Sequence, residues 1–584
     1  MKELLSGNQA IARGAYEAGC AFAAAYPGTP STEILETISG YPEVFAEWAP
    51  NEKVALEAAT GASFCGARSI VAMKHVGLNV AADPLFTLSY TGTRGGIVIV
   101  TADDPGMHSS QNEQDNRYYA IAAKVPMLEP SDSQEARDFT IRAFELSEKF
   151  DTPVLLRITT RIAHSECLVE AGARIALNRK YTFEREPEKF VMVPAFARLR
   201  HVIVEKRLKA LLEYSENCPE NVIEKRGADA GVITGGISYQ YVRDVLPEAS
   251  VLKLGFTHPL PEALIRKFAA TVKTLWVVEE LEPIIENHVK ALGIRAAAKP
   301  EEFRCGELTP AIVRSFILGT QAPKETTNAK SRPPILCAGC PHRGVFYTLN
   351  RLKITTMGDI GCYALGVAPP LNSLDTCVDM GASICHAAGA SHVVSPEEQK
   401  RIVSVIGDST FIHSGITSLI DAVYNKANMT LLLLDNRTTA MTGGQHHPGT
   451  GKTIKDEDTF QLDLMRMVKA CGVESVRVID PYDLTETREA IEAAVAEPGV
   501  SVVMTQQPCR LIDRGTWKEP YAIDEEKCKV CGACLNLGCP AIINRSTAEK
   551  KSAPEINALL CVGCGLCAQV CKVEAIAVPA AAAK

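Results

Sequence analysis

"VSVIGDSTFIHSG", residues 403–415, and "LLLLDNRTTAMTGG", residues 431–444, each begin with a short, mostly apolar stretch that then turns polar. Such runs, too short for a helix and closed by glycine or a polar residue, read as strands buried on both faces, the habit of a parallel sheet covered by helices. The first ends on Gly407-Asp408-Ser409 and the second on Asp435-Asn436, with Asn436 placed 29 residues after Gly407. In an open α/β sheet, ligands bind in the crevice outside the carboxyl ends of the strands. Two ends that carry Asp and Asn there offer oxygen ligands to one Mg²⁺, which would bridge to a diphosphate. The plainer alternative is a pair of polar residues capping two loops.

The same alternation of strand and helix repeats along the chain, so the expected fold class is α/β with several parallel-sheet domains. Residues 1–165 place strands such as "GIVIVTADD" (96–104) and "PVLLRIT" (153–159) between helical patterns. Residues 166–229 are charged and helical, with an amphipathic helix over 198–217, and read as a connector. A second alternation spans 230–320, with strands at 230–236, 250–256 and 274–280. It fades into the polar, proline-bounded "GTQAPKETTNAKSRPP" (319–334), which reads as a linker. The two stretches quoted first belong to a third segment, 335–512, and residues 513–584 form a cysteine-rich tail whose closing "AVPAAAAK" is expected to fray.

At 584 residues the chain exceeds what one hydrophobic core organises. Hydrophobic residues at 46% and charged residues at 22% exclude disordered and fibrous classes. A net charge of −8 argues against a nucleic-acid partner, since nothing in it neutralises phosphates. No apolar run reaches the roughly 18–20 residues of a membrane span, and "MKELLSGNQAIARGAYEAG" lacks the pattern of a secretory signal, so the expected location is cytoplasmic. Twenty cysteines in that compartment point to metal rather than to disulfides.

Eight of the twenty cysteines lie in two terminal runs. Cys561, Cys564, Cys567 and Cys571 make CxxCxxCxxxC; Cys528, Cys531, Cys534 and Cys539, followed by Pro540, repeat it with one extra residue before the last cysteine. Thiolates so spaced fold around [4Fe–4S] cubanes, three from one run and the fourth from the other. The expected ligand sets are Cys528, Cys531, Cys534 and Cys571 for one cluster, and Cys561, Cys564, Cys567 and Cys539 for the second. CxxC pairs also suit zinc, but consecutive two-residue steps, twice over, wrap poorly around one tetrahedral ion.

The spacing over 403–444 resembles the thiamine diphosphate motif, GDG followed by NN, with Ser409 in place of the last glycine and Asp435 in place of the first asparagine. By that match Asp408, Asn436 and the backbone carbonyl of Thr438 would hold Mg²⁺, with Gly407 and Ser409 beside the cofactor. "PNEKVALEAATGAS" (50–63) resembles the pyrimidine-domain helix of thiamine enzymes, in which a Glu precedes the helix glycine by nine positions, as Glu52 precedes Gly61. Glu57 lies about 140° round the helix from Glu52, so both cannot reach one ring nitrogen, and Glu52 is the catalytic candidate. Its plain alternative is a solvated first-turn glutamate favoured by the helix dipole.

"AAAYPGTPSTEI" (23–34) reads as a turn forced by Gly28 and two prolines, with Ser31 or Thr32 capping the next helix and Glu33 in support. It resembles the YPxTPS stretch of 2-oxoacid ferredoxin oxidoreductases, which makes Thr29 the substrate-side candidate. "CAGC" (337–340), Cys362 and Cys509 follow the order of the proximal-cluster cysteines in the pyruvate members, so Cys337, Cys340, Cys362 and Cys509 are candidates for a third cluster. A buried free thiol is the alternative for each. His446 and His447 of "GGQHHPG" read as solvent-exposed loop histidines, and "GVITGGISYQ" carries too weak a glycine pattern for a dinucleotide.

"GNQAIARGAYEAG", "YPGTPSTEI", "NEKVALEAATGAS", "GTRGGIVIVTADDPGMHSSQNEQD" and "TTAMTGGQ" together resemble the large (alpha) subunits of indolepyruvate ferredoxin oxidoreductases, in the thiamine diphosphate-dependent 2-oxoacid ferredoxin oxidoreductase superfamily. The resemblance implies a pyrimidine-binding domain (1–165), a connector (166–229), a transketolase-C-like domain (230–320), a diphosphate-binding domain (335–512) and a two-cluster ferredoxin-like α+β domain (513–584). It implies thiamine diphosphate, Mg²⁺ and two or three [4Fe–4S] clusters. The implied reaction takes an aryl pyruvate such as indolepyruvate with coenzyme A to aryl-acetyl-CoA and CO₂ while reducing ferredoxin, in a hetero-oligomer with a smaller beta subunit. A different 2-oxoacid, or a non-catalytic electron-transfer subunit, are the alternatives.

Overall fold

Strands such as Ile97–Asp103, Val154–Thr159, Ser250–Leu254 and Ile402–Gly407 are buried on both faces, which is why their sequences read as mostly apolar runs rather than as alternating ones. The computed structural model describes residues 2–321, 333–545 and 553–579. The chain divides into two units, 1–327 and 328–584.

In the first unit a seven-stranded sheet runs from Phe45–Trp48 through β1 (Phe22–Ala25), β2 (Ser69–Lys74), β3 (Ile97–Asp103), Val154–Thr159 and Met127–Leu128 to Phe256–His258. Every pairing is parallel except the last. Helix α1 (Glu52–Phe64) starts at Asn51, whose side chain accepts the Val54 N–H. Its Ala55, Leu56 and Ala59 pack with Val71, Met73 and Leu78, so the first turn of α1 is fixed near the carboxyl end of β2. A second sheet of five strands has the order Asn221–Glu224, Ser250–Leu254, Ala230–Gly235, Thr274–Val278, Ala297–Ala298. Buried ion pairs brace the first sheet and tie it to the second: Arg157 binds Asp103 on the neighbouring strand of the first at 2.7 Å, and Arg117, at the start of the helix Arg117–Ala123, binds Glu279, just past Thr274–Val278 of the second, at 2.6 Å. Burial of such charges is tolerable only because each has a partner.

Two details differ from the sequence reading. The 166–229 stretch contains the long helix Pro194–Ser215, but Glu166–Glu170 pairs antiparallel with Lys2–Ser6, and Asn221–Glu224 is already an edge strand of the second sheet. The run "SVLKLGF" divides at Gly255, with Ser250–Leu254 in the second sheet and Phe256 in the first. A Cβ at Gly255 would stand 2.6 Å from the Glu220 carbonyl oxygen, so the crossing passes where glycine alone fits.

The second unit holds a parallel five-stranded sheet, ordered Thr355–Met357, β4 (Ile402–Gly407), β5 (Met429–Asp435), β6 (Val500–Gln506) and Ser475–Ile479. Leu432 and Leu434 of β5 pack with Val345 and Phe346 of helix α2 (His342–Leu352), while Leu431 and Leu433 pack on the other face with Ile384 and Leu419. The period of two thus buries all four leucines. In the tail, Ala522–Ile523 pairs with Ile576–Ala577 and Ile542–Asn544 with Pro554–Ile556, both antiparallel, around Leu537, Leu566 and Tyr482. Most of the 319–334 stretch and of the closing alanines lies outside the described residues. Among the described residues no helix is long and apolar enough to cross a membrane.

Candidate functional site

Because β4 and β5 are adjacent and parallel, with Gly407 opposite Leu434, their carboxyl ends deliver Asp408 and Asn436 side by side, both buried. The amide oxygen of Asn436 faces the Thr438 carbonyl oxygen at 2.8 Å and Asp408 Oδ1 at 3.2 Å. Three oxygens meet with no proton between them. Either the amide turns so that its nitrogen donates to both, or a cation belongs at their centre. Neighbouring oxygens around octahedral Mg²⁺ stand about 2.9 Å apart, so the donor set fits that ion.

Two buried histidines fix the set. Gly449 N–H donates to Nδ1 of His447 at 3.1 Å, which leaves the proton on Nε2 to reach Asp408 Oδ2 at 3.2 Å. Burial works against the Asp408 charge, yet His447 and the Ser409 N–H hold its carboxyl below the usual range. Burial, reinforced by Asp408, pushes Asp435 up to about 6. His342, the first residue of α2, lies 3.3 Å from the Asn436 amide, and burial pushes its imidazole down to about 4, so a neutral ring faces that amide. Ser409, standing where the motif has glycine, places its hydroxyl 2.8 Å from that of Thr439. The expectation of two solvent-exposed histidines is corrected for His447, which is 6% exposed; His446 is partly exposed and pairs with Asp456. No periodicity signalled this, because the contact depends on the loop path between His447 and Gly449.

The cysteine groups also assemble. The backbone carbonyl of Asn436 accepts the Cys509 N–H at 3.0 Å, so Cys509 adjoins the oxygen triad. Burial and then Cys509 push the Cys337 thiol up; burial pushes Cys362 up to about 11, with Cys509 and Cys337 adding, and Cys340 up to about 12, with Cys362 and Cys337 adding. Cys337, Cys340, Cys362 and Cys509 are therefore close enough to sense one another's charge. Cys528, Cys531, Cys534 and Cys571 line one cavity of the tail, and Cys539, Cys561, Cys564 and Cys567 line another. Among the described residues no three or more His, Cys, Asp or Glu side chains are drawn together as ligands of a single ion. The thiols ring voids instead, as cubane ligands would.

In the first unit Glu52 is 4% exposed, whereas Glu57 is exposed and pairs with Lys53. The Glu52 carboxylate lies against the backbone of Gly77: a Cβ there would stand 2.6 Å from Oε1. Lys74, at the end of β2, donates to the Ser109 carbonyl at 2.9 Å, and the Ser109 hydroxyl donates to the Thr29 carbonyl at 3.3 Å. Burial lowers the Lys74 ammonium, with Asp104 and Glu52 opposing. Asp104 holds the loop after β3 by accepting from Ser109 N–H, Ser110 and Thr160. Ser31 begins the next helix without a side-chain cap; its hydroxyl donates to Gly28, and Glu33 accepts from Asn8 instead of closing a capping box. Lys74 carried no motif and was legible only in the fold.

Three family models match the sequence: "Pyruvate flavodoxin/ferredoxin oxidoreductase, thiamine diP-bdg" over 13–202, "Thiamine pyrophosphate enzyme, C-terminal TPP binding domain" over 359–505, and "4Fe-4S binding domain" over 554–577. The chain is 42% identical to the indolepyruvate oxidoreductase subunit IorA of Archaeoglobus fulgidus, across 98% of this chain and 97% of that one. It is 41% identical to the subunit of that name from Pyrococcus horikoshii, across 98% and 96%. The 2-oxoglutarate synthase subunit KorA of Methanothermobacter marburgensis is 28% identical across 47% of this chain and 87% of its own.

Proposed function

We propose, for a chain that belongs to the IorA family of thiamine diphosphate-dependent 2-oxoacid oxidoreductases, that it oxidatively decarboxylates aryl pyruvates, indolepyruvate first, with coenzyme A to the aryl-acetyl-CoA. Ferredoxin takes the electrons, and a smaller beta subunit completes the enzyme. Support for a partner comes from the relatives' names, which are names of subunits.

The observation that carries this reading is the double use of Asn436. Its side-chain oxygen belongs to the triad with Asp408 and Thr438, and its backbone carbonyl holds Cys509, so one residue joins the oxygen site to a cysteine group. Bound thiamine diphosphate supplies the carbon nucleophile and electron sink for decarboxylation, and bound [4Fe–4S] clusters carry the electrons away singly. Asp408 Oδ1, Asn436 Oδ1 and the Thr438 carbonyl would hold Mg²⁺ against the diphosphate. His447 keeps Asp408 ionised and turned, and His342 keeps the Asn436 oxygen forward. Glu52 would hold a proton at the pyrimidine N1′, and Thr29 and Lys74 would face the substrate. Cys337, Cys340, Cys362 and Cys509 would hold a cluster next to the cofactor, and the two tail sets would hold the onward pair.

The test is anaerobic dye reduction by the chain co-produced with its smaller subunit. The expected result is coenzyme A-dependent reduction, faster with indolepyruvate and phenylpyruvate than with pyruvate, that falls by at least about 100-fold in Glu52→Ala. An unchanged rate in Glu52→Ala removes the catalytic assignment, and turnover of pyruvate alone removes the aryl preference.

A further inference from the structure

Arg343, the second residue of α2, is among the most deeply enclosed side chains of the chain, 1% exposed. Its hydrogen bonds go only to neutral groups: Nη1 donates to the Leu537 carbonyl at 2.6 Å, and Nη2 to the carbonyls of Leu336 at 2.6 Å and Cys337 at 2.9 Å. Nε is buried and has no partner among the described residues. No carboxylate of the described residues pairs with this guanidinium. A guanidinium stays protonated in proteins, and an isolated buried cation is strongly disfavoured unless an opposite charge is supplied. Arg117 and Arg157, also deeply buried, have that charge in a carboxylate.

Cysteine is what Arg343 borders. It lines the cavity ringed by Cys539, Cys561, Cys564 and Cys567, which Ala338 and Gly339 line as well. Its bonds to the carbonyls of Cys337 and Leu537 tie the start of the Cys337–Cys340 loop to the segment leading into Cys539. A [4Fe–4S] core held by four thiolates is net negative and becomes more so on reduction, and net charge and hydrogen bonds to sulfur set its potential.

Resting on the cluster assignment above, we propose that Arg343 is the fixed counter-charge of the electron relay: its guanidinium stands against the cluster of Cys539, Cys561, Cys564 and Cys567 on the side of the Cys337 group. Its positive charge favours the one-electron-reduced form of the cluster it stands against. A step of the relay moves one electron between two clusters, with no bond made or broken. Arg343 is a positioning residue, acting on potential and not on substrate.

The experiment is an EPR-monitored redox titration of the holoenzyme and of Arg343→Gln and Arg343→Lys, with iron and acid-labile sulfide measured on each sample. Arg343→Gln is expected to keep the parent's iron and sulfide while one cluster signal moves to lower potential; Arg343→Lys is expected to recover part of that shift. Full iron content with all midpoints unmoved in Arg343→Gln overturns the proposal. Should the glutamine variant lose iron, the parent enzyme grown on ¹⁵N-arginine decides: pulsed EPR of the reduced clusters shows a weakly coupled arginine nitrogen, and its absence overturns the proposal. A parent with no iron–sulfur signal overturns instead the cluster assignment beneath it.

Discussion

Glu52 and Glu57 share one helix, and its register alone separates their roles. Five positions on one helix point them in different directions, and the structure buries the first and exposes the second. The helix register was in the sequence; the companion that shapes the site was not. Gly77 lies 25 residues on, and only the packing of α1 against β2 brings its backbone under the Glu52 carboxylate. A methyl group at Gly77 would overlap Oε1, Cγ and Cδ of Glu52 at 2.6, 2.8 and 2.9 Å, so the glutamate must swing away. Gly77→Ala is expected to reduce turnover on the order of 100-fold, as misplacement by about 1 Å does elsewhere, with iron content unchanged. Dye-reduction kinetics beside metal analysis check this, and full activity in the variant would show that Glu52 tolerates displacement. His447 was illegible for the same reason: its contact to Asp408 needs the loop that turns Gly449 N–H back onto its ring.

At the scale of elements, long buried strands were legible and three-residue edges were not. The apolar runs at 96–104 and 153–159, and those that open the 403–415 and 431–444 stretches, all correspond to strands, since burial on both faces writes itself as continuous hydrophobicity. Phe256–His258 gives no such signal, yet it closes the first sheet, and its His258 Nδ1 donates to the Val125 carbonyl at 2.8 Å. Burial pushes this imidazole down to about 4. Unfolded, it titrates near 6.5, so the unfolded chain binds a proton that the fold refuses. The stability tied to keeping His258 neutral is complete above about pH 6.5 and is lost as pH falls toward about 4, by at most on the order of 3 kcal/mol. Anaerobic urea unfolding of the full chain at pH 7.5 and pH 5 should show the loss, and His258→Gln should reduce the difference, His342, pushed down to about 4 in the same way, keeping part of it. An equal slope in both proteins would assign the acid sensitivity to other groups.

For the whole molecule, the contrast lies between ligands that are local in sequence and ligands that only the fold gathers. The two tail cavities take their thiols from short runs whose spacing already paired Cys571 with the first run and Cys539 with the second. Cys337, Cys340, Cys362 and Cys509 bracket all five strands of their sheet, from the loop before α2 to the segment after β6, and spacing alone left them as four free thiols as readily as one cage. Their convergence beside Asn436 turns the question into a count. Each cubane brings four irons, so two clusters give about eight per chain and three give about twelve. The parent, purified without oxygen, is expected to carry about twelve irons and a matching amount of sulfide, and Cys509→Ser about eight, with the two tail signals intact. Cys509 touches Asn436 through its backbone N–H, which serine preserves, so the substitution should leave Mg²⁺-dependent thiamine diphosphate binding in place while removing the nearest electron acceptor. Equal iron in both proteins would leave Cys509 a partly exposed free thiol and overturn its place in a cluster.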